Sequence, residues 1–277
     1  MTLTAETKNM ALFCDFENIA LGVRDANYAQ FDISKVMERL LLKGSIVVKK
    51  AYSDWSRYKE FRATMHEASF ELIEIPHVRQ SGKNSADIRM VVDALDLCYT
   101  KGHVDTFVII SGDSDFSPLV SKLRENNKGV IGVGVRNSTS DLLIANCDEF
   151  IYYDDLVRPQ PPRGKPRSRA RRGKGVAKPT PGQAPTAPTP TGDKKQEAWD
   201  LIVKTYEALV EERGEGEKIW GSMIKQTLKR RQPGFNESYY GFRSFRQLLE
   251  EAGAQGILEL EHDEKSGGFI ILSCHAS

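Results

Sequence analysis

Between Met10 and Leu156, short and nearly unbroken apolar runs alternate with longer stretches in which apolar residues return every three or four positions. Unbroken runs suit strands covered on both faces, and the longer period suits amphipathic helices. The alternation therefore predicts βα units, with a parallel sheet between helical layers. The first strand is Ala11-Leu-Phe-Cys-Asp15. Asp32 reads as the N-cap of a helix whose Val36, Leu40 and Leu41 share a face and which Gly44 stops. A strand at 46–52, a helix carrying Tyr58, Phe61 and Met65, a strand at 70–75 and a Gly82 loop into a helix at 86–99 follow. The strand Thr106-Phe-Val-Ile-Ile110 comes next, then helices at 117–126 and 139–146 and strands at 129–135 and 150–153.

At Arg158 the pattern stops. Residues 158–192 are Pro, Arg, Lys, Gly and Thr with almost no large apolar side chain, so the segment cannot offset the entropy of ordering itself and is expected to be a disordered linker. A second pattern begins near Gln196. One helix carries Trp199, Ile202, Val203, Tyr206 and Leu209, a second Ile219, Met223, Ile224 and Leu228, and a third Tyr240, Phe242, Phe245, Leu248 and Leu249. A hairpin with arms at 257–261 and 268–272 closes the chain. Three helices and a two-stranded wing describe a winged helix, a module that contacts nucleic acid or protein without the fold choosing between them. The expected organisation is an α/β domain at 1–157, a linker at 158–195 and a small α+β winged-helix domain at 196–277.

Charge sharpens this division. The net formal charge of +1 hides 18 basic against 23 acidic residues in 1–157, nine against none in 158–180, and 12 against 15 in the remainder. The basic stretch, with Arg167, Arg169, Arg171 and Arg172 at its centre, reads either as a solvated tether or as a polyanion-binding arm. Four scattered cysteines, Cys14, Cys98, Cys147 and Cys274, form no Cys-x-x-Cys pair, which argues against a zinc site or a disulfide framework. Residues 1–10 lack the apolar core of a signal peptide, and no run of ~18 apolar residues is present to span a bilayer. A reduced, cytoplasmic protein away from membranes is the expectation.

The candidate chemistry lies where strands end. In open α/β sheets ligands sit beyond the carboxyl ends of strands, and both Asp15 and Asp113 follow such ends. If the two strands are neighbours the carboxylates meet, and like charges at that range raise each other's proton affinity unless a hard cation such as Mg²⁺ or Mn²⁺ neutralises them. Cys14-Asp15-Phe-Glu-Asn18 has an ordinary reading too, because Asp and Asn after a strand are common turn and capping residues. Gly82-Lys83-Asn-Ser-Ala-Asp87 offers Asp87 in the first turn of a helix, as a ligand or merely as a complement to the helix dipole. Lys83 stands within reach of a phosphate, although His77 in place of a glycine excludes a P-loop. Asp93 lies about 240° around the helix from Asp87 and is a lesser candidate. Ser111-Gly-Asp113-Ser-Asp115-Phe116 is the most specific motif, with two carboxylates and two hydroxyls packed at one strand end. A phosphatase of the haloacid type would place Asp-x-Asp after the first strand, where this chain has Asp15-Phe-Glu17.

These motifs, with Gly134-Val-Arg-Asn-Ser-Thr-Ser-Asp-Leu-Leu143 and Cys147-Asp-Glu-Phe150, resemble an NYN domain of the LabA-like group, a branch of the PIN-like nucleases. Ile219-Trp220, Lys229-Arg-Arg-Gln-Pro-Gly-Phe235, Tyr240-Gly-Phe-Arg-Ser-Phe245 and Gly267-Gly-Phe269 resemble a LOTUS, or OST-HTH, domain. The resemblance implies a Rossmann-type three-layer fold that hydrolyses RNA phosphodiesters with Mg²⁺ or Mn²⁺, and an RNA-binding winged helix. Carried over by position, Asp15, Asp87 and Asp113 would hold the metal, Asp115 would support them and Asn18 would orient the site.

For RNA contact the sequence offers Arg57 among the aromatics Tyr52, Trp55 and Tyr58, which either stack on bases or pack in the core. It also offers Lys83, the linker arginines, a basic helix end of Lys225, Lys229, Arg230 and Arg231, and Arg243 with Arg246; a solvated helix face explains the last two groups equally well. The competing function is a catalytically silent RNA-binding or adaptor protein whose winged helix gathers RNA or protein partners. A nucleotide or phosphate-ester hydrolase is a third reading, in which the basic arm would be superfluous.

Overall fold

The computed structural model describes residues 8–75, 85–158, 192–214, 217–263 and 266–275. The N-terminal part runs β1 (Asn9–Asp15), α1 (Phe16–Asp25), α2 (Ile33–Leu41), β2 (Ser45–Ser53), α3 (Lys59–Glu67), β3 (Glu71–Glu74), α4 (Ser85–Thr100) and β4 (Thr106–Ile110). It continues with α5 (Ser117–Glu125), β5 (Gly129–Gly134), α6 (Asp141–Asn146), β6 (Glu149–Tyr152) and α7 (Tyr153–Val157). All six strands pair in parallel in the order β3-β2-β1-β4-β5-β6. Strand order therefore reverses between β1 and β4, and this switch point is where an open α/β sheet leaves a crevice.

Side-chain alternation along β1 divides the core into two layers. Met10, Leu12 and Cys14 pack with Ile19 and Val23 of α1, Val36 and Leu40 of α2, and Met65 of α3. Ala11 and Phe13 pack on the opposite face with Met90 and Ala94 of α4, Leu119 and Leu123 of α5, and Leu143 of α6. Asp32 caps α2 as expected, its carboxylate accepting from the Ser34 N–H at 2.9 Å. The last strand stops at Tyr152, and Tyr153, expected to end it, opens α7 with its ring buried.

The C-terminal module contains α8 (Gly192–Arg213), β7 (Ile219–Trp220), α9 (Gly221–Arg231), α10 (Phe245–Ala254), β8 (Leu258–His262) and β9 (Phe269–Cys274). Its antiparallel sheet has the order β7-β9-β8 and covers a core that includes Ala198, Ile202, Ile224, Leu228, Phe242, Leu248 and Ile271. Two boundaries differ from the sequence reading. The first helix begins at Gly192, inside the expected linker, and Ile219, assigned to the second helix, instead forms a short strand paired with Ile271. A β-branched residue can satisfy either apolar pattern, and the partner that decides it lies 52 positions away in β9. Residues 159–191, the greater part of the expected linker, lie outside the described residues.

Trp55 corrects a second expectation. Its side chain is 1% exposed, its indole N–H donates to the Ile73 carbonyl at 3.1 Å, and its ring centroid lies 4.9 Å from that of Phe16. It is a core residue and offers no face to a base. Tyr52 is likewise buried, with its hydroxyl donating to Asp93, while Tyr58 packs edge-on against Phe16. Replacing Trp55 by Ala removes a large, fully packed side chain, so denaturant unfolding should show a loss of about 3–5 kcal/mol. A loss below about 1 kcal/mol would mean that the indole is not packed in this way.

Candidate active site

Cys14 of β1 pairs with Ile110 of β4, so the two strands end side by side and the next residues are Asp15 and Ser111. Asp15 is the N-cap of α1. Its Oδ1 accepts from the Asn18 N–H at 3.4 Å and its Oδ2 from the Ser111 hydroxyl at 3.0 Å. The Asn18 side-chain oxygen accepts from the Gly112 N–H at 2.8 Å, and the Asp113 N–H donates to Ser111 Oγ at 3.2 Å. The capping reading and the site reading of Asp15 and Asn18 thus describe the same atoms. Capping bonds hold both side chains at the seam between the strands.

Gly112 is fixed by a close approach. A Cβ there would lie 2.5 Å from the Ser138 carbonyl oxygen, and the Gly112 carbonyl accepts from the Ser140 N–H at 2.9 Å. The turn after β5 therefore braces the loop that carries Asp113. Asp113 in turn caps a short 3-10 turn, accepting from the Asp115 N–H at 2.9 Å.

The acids act on one another. Asp15 is 7% exposed, and its pKa is pushed up to about 7, first by burial and then by the charge of Asp87, with Asp113 adding to the shift; the Asn18 and Ser111 hydrogen bonds oppose it. Burial and the charges of Asp113, Asp115 and Glu17 raise Asp87 to about 6. None of the groups acting most strongly on either residue is cationic. Among the described residues no three His, Cys, Asp or Glu side chains are grouped closely enough to hold a metal ion. The donor set is nevertheless all oxygen and anionic, with no cation among the described groups that act most strongly on Asp15 or Asp87, which in chemistry suits a hard divalent cation.

Asp93 stands apart, as its helical phase requires. It bonds the Tyr52 hydroxyl at 2.9 Å, Lys50 at 3.3 Å and Arg89 at 3.1 Å, tying α4 to β2. Glu17 escaped the sequence reading as a site residue. It raises the Asp87 pKa and accepts from Arg57 at 3.1 Å, and the signal for it was its place two residues after Asp15. The basic residues are scattered. Lys229 lies 3.8 Å from Glu149 and Lys225 2.8 Å from Glu237, while Arg230, Arg231 and Arg243 are exposed. Lys83, Arg167, Arg169, Arg171 and Arg172 lie outside the described residues.

A six-stranded parallel α/β sheet of this order is consistent with a PIN-like fold. The model of the NYN domain family matches residues 9–154, more than half of the chain, and the chain belongs to that family. It is 24% identical over 154 residues to "Meiosis regulator and mRNA stability factor 1" of Xenopus tropicalis, covering 56% of this chain and 9% of that protein. It is 29% identical over 121 residues to an uncharacterised protein of Methanocaldococcus jannaschii, covering 43% of this chain and 47% of that protein. The chain thus spans less than half the length of each of these relatives. A crystal structure of a protein of unknown function from Vibrio parahaemolyticus aligns with a TM-score of 0.49 at 28% identity, covering 55% of this chain and 97% of the other.

The raised pKa values set the sign of a pH effect. Between the ordinary carboxyl value of 3.8 and about 7, the folded protein binds more protons at Asp15 than the unfolded chain does, so stability falls as pH rises through that window. Asp87 acts in the same direction. In EDTA, Tm should be lower at pH 8 than at pH 5, and Asp15→Asn should flatten the slope. Parallel profiles for the variant and the wild type would remove Asp15 as the source.

Proposed function

We propose that the chain is a metal-dependent ribonuclease, with Asp15, Asp87 and Asp113 as the carboxylates that hold Mg²⁺ or Mn²⁺ and Asp115 as a supporting anion. The observation that carries this reading is the raised proton affinity of the buried Asp15, from burial and the charge of Asp87, and of the half-buried Asp87, from burial and the charges of Asp113, Asp115 and Glu17, with no cation among the described groups that act most strongly on either. Repulsion of that kind disfavours the ionised cluster, and a divalent cation removes it. A cation bound there supplies Lewis acidity for a phosphodiester and a water of lowered pKa. The chain's own residues do the positioning. Ser111 and the Asn18 N–H hold the Asp15 carboxylate between them, and the Asn18 amide oxygen holds the Gly112 loop that leads to Asp113.

RNA as substrate is supported by membership of the NYN family and by the named mRNA role of the Xenopus relative. The N-terminal domain is acidic in balance, so capture of a polyanion falls to the nine basic residues of 158–180 and to Arg230, Arg231 and Arg243. The C-terminal module is proposed to be a LOTUS-type winged helix that adds to this RNA surface, and a cytoplasmic setting fits the reduced cysteines.

Labelled single-stranded RNA should be cleaved with Mn²⁺ or Mg²⁺ and left intact with EDTA or with Asp113→Asn. Mn²⁺ should also raise Tm for the wild type and much less for Asp113→Asn, a readout free of contaminating nucleases. Hydrolysis indifferent to both chelator and substitution would end the enzyme reading, and RNA binding without hydrolysis would favour the silent alternative. Deleting residues 163–178, with eight basic side chains, should weaken RNA binding and flatten its dependence on salt. Unchanged affinity at low salt would make that stretch a plain tether.

A further inference from the structure

The two modules touch along the outer edge of the parallel sheet. The Phe150 N–H of edge strand β6 donates to the carbonyl of Pro233 at 2.9 Å, which covers a backbone donor that an edge strand would otherwise expose. The turn after α9 lies flush against the next ring, since a Cβ on Gly234 would stand 2.8 Å from the Tyr152 hydroxyl oxygen. Asn236 donates to Asp155 Oδ2 at 2.8 Å.

At the centre of this contact is Arg136. Its guanidinium lies 3.7 Å from the ring centroid of Tyr152 in its own module and 3.9 Å from that of Tyr239 in the other. Its Nη2 is 3.5 Å from Asp155 Oδ2, and the Asp155 side chain is only 6% exposed. Both Nε and Nη2 of Arg136 are buried without a hydrogen-bond partner among the described residues. A guanidinium with two nitrogens withdrawn from water is held by the two aromatic faces together with Asp155, and such faces attract a partly desolvated cation more strongly than an exposed one. One of those faces belongs to the C-terminal module, so that module supplies part of the cover over a side chain that stays 27% exposed.

We infer that residues 192–275 dock in cis on the β6 edge as part of one body with the NYN domain, and that Arg136 is the clamp that holds them there. The clamp is joined to the acidic site. Arg136 and Ser138 belong to the same turn, the Arg136 N–H donates to Asp154 at 2.8 Å, and Ser138 backs the Gly112 loop. The spacing between the C-terminal surface and the carboxylates is therefore set by packing and does not depend on the length of chain between the modules.

The test is to insert a protease site within 179–191 of the full chain, cut it, and run the product on size exclusion with light scattering at about 0.15 M salt. The two fragments should co-elute at the mass of one chain. Arg136→Ala and, from the other side, Tyr239→Ala should each abolish co-elution after cutting while leaving the far-UV circular dichroism of the uncut chain unchanged. Separation of the wild-type fragments would overturn docking, and a species of twice the mass would show docking between copies instead. Co-elution undiminished in both variants would remove the clamp. The readout uses neither metal nor RNA, so it stands apart from the nuclease proposal.

Discussion

Parallel pairing of β1 with β4 brings Asp15 beside the loop that carries Asp113, and the rest of the site follows from that enforced proximity. Both strands are buried on two faces, so neither can slip without moving its apolar residues out of the layers they fill. The sheet thus holds together carboxylates that electrostatics alone would push apart. Ser111 and the Asn18 N–H spread part of the charge on Asp15 into hydrogen bonds, but they do not cancel it, and the carboxyl remains well above its ordinary value.

That tension separates the roles of the surrounding groups. Asn18, Ser111 and Gly112 are scaffold: they set where the acids stand. Asp93 is scaffold at one remove, tying α4 to β2 through Tyr52 and Lys50 so that the helix presenting Asp87 keeps its place. Glu17 joins the acidic field from α1 and accepts a hydrogen bond from Arg57. In the C-terminal half no carboxylate carries a comparable elevation among the described residues, and Glu251 is shifted the opposite way by its hydrogen bond from Lys195.

Much of this was legible because strand burial writes itself into sequence. Apolar runs ending in Asp15 and before Ser111 announced parallel strands followed by carboxylates, and strand order then placed those ends together. The fate of aromatics was not legible in the same way. Trp55 follows β2 by two residues, where one more turn of chain decides between solvent and core, and its partner Phe16 comes from a different element. The ion pairs of the basic helix end were not legible either: Lys225 and Lys229 read as a polyanion face or a solvated one, and their carboxylate neighbours, Glu237 and Glu149, come from a later turn and from the other module. Arg136 belongs to a stretch read only as a family motif, since a clamp between two rings leaves no periodic trace.

The central claim is that Asp15, Asp87 and Asp113 together hold one divalent cation site. Crystals grown with Mn²⁺ and measured near the manganese absorption edge test it directly through anomalous difference density. The account predicts a peak in contact with carboxylate oxygens of all three residues, lost in Asp113→Asn. Density absent from that seam in well-ordered crystals, or the three side chains turned away from one another around an empty centre, would contradict it.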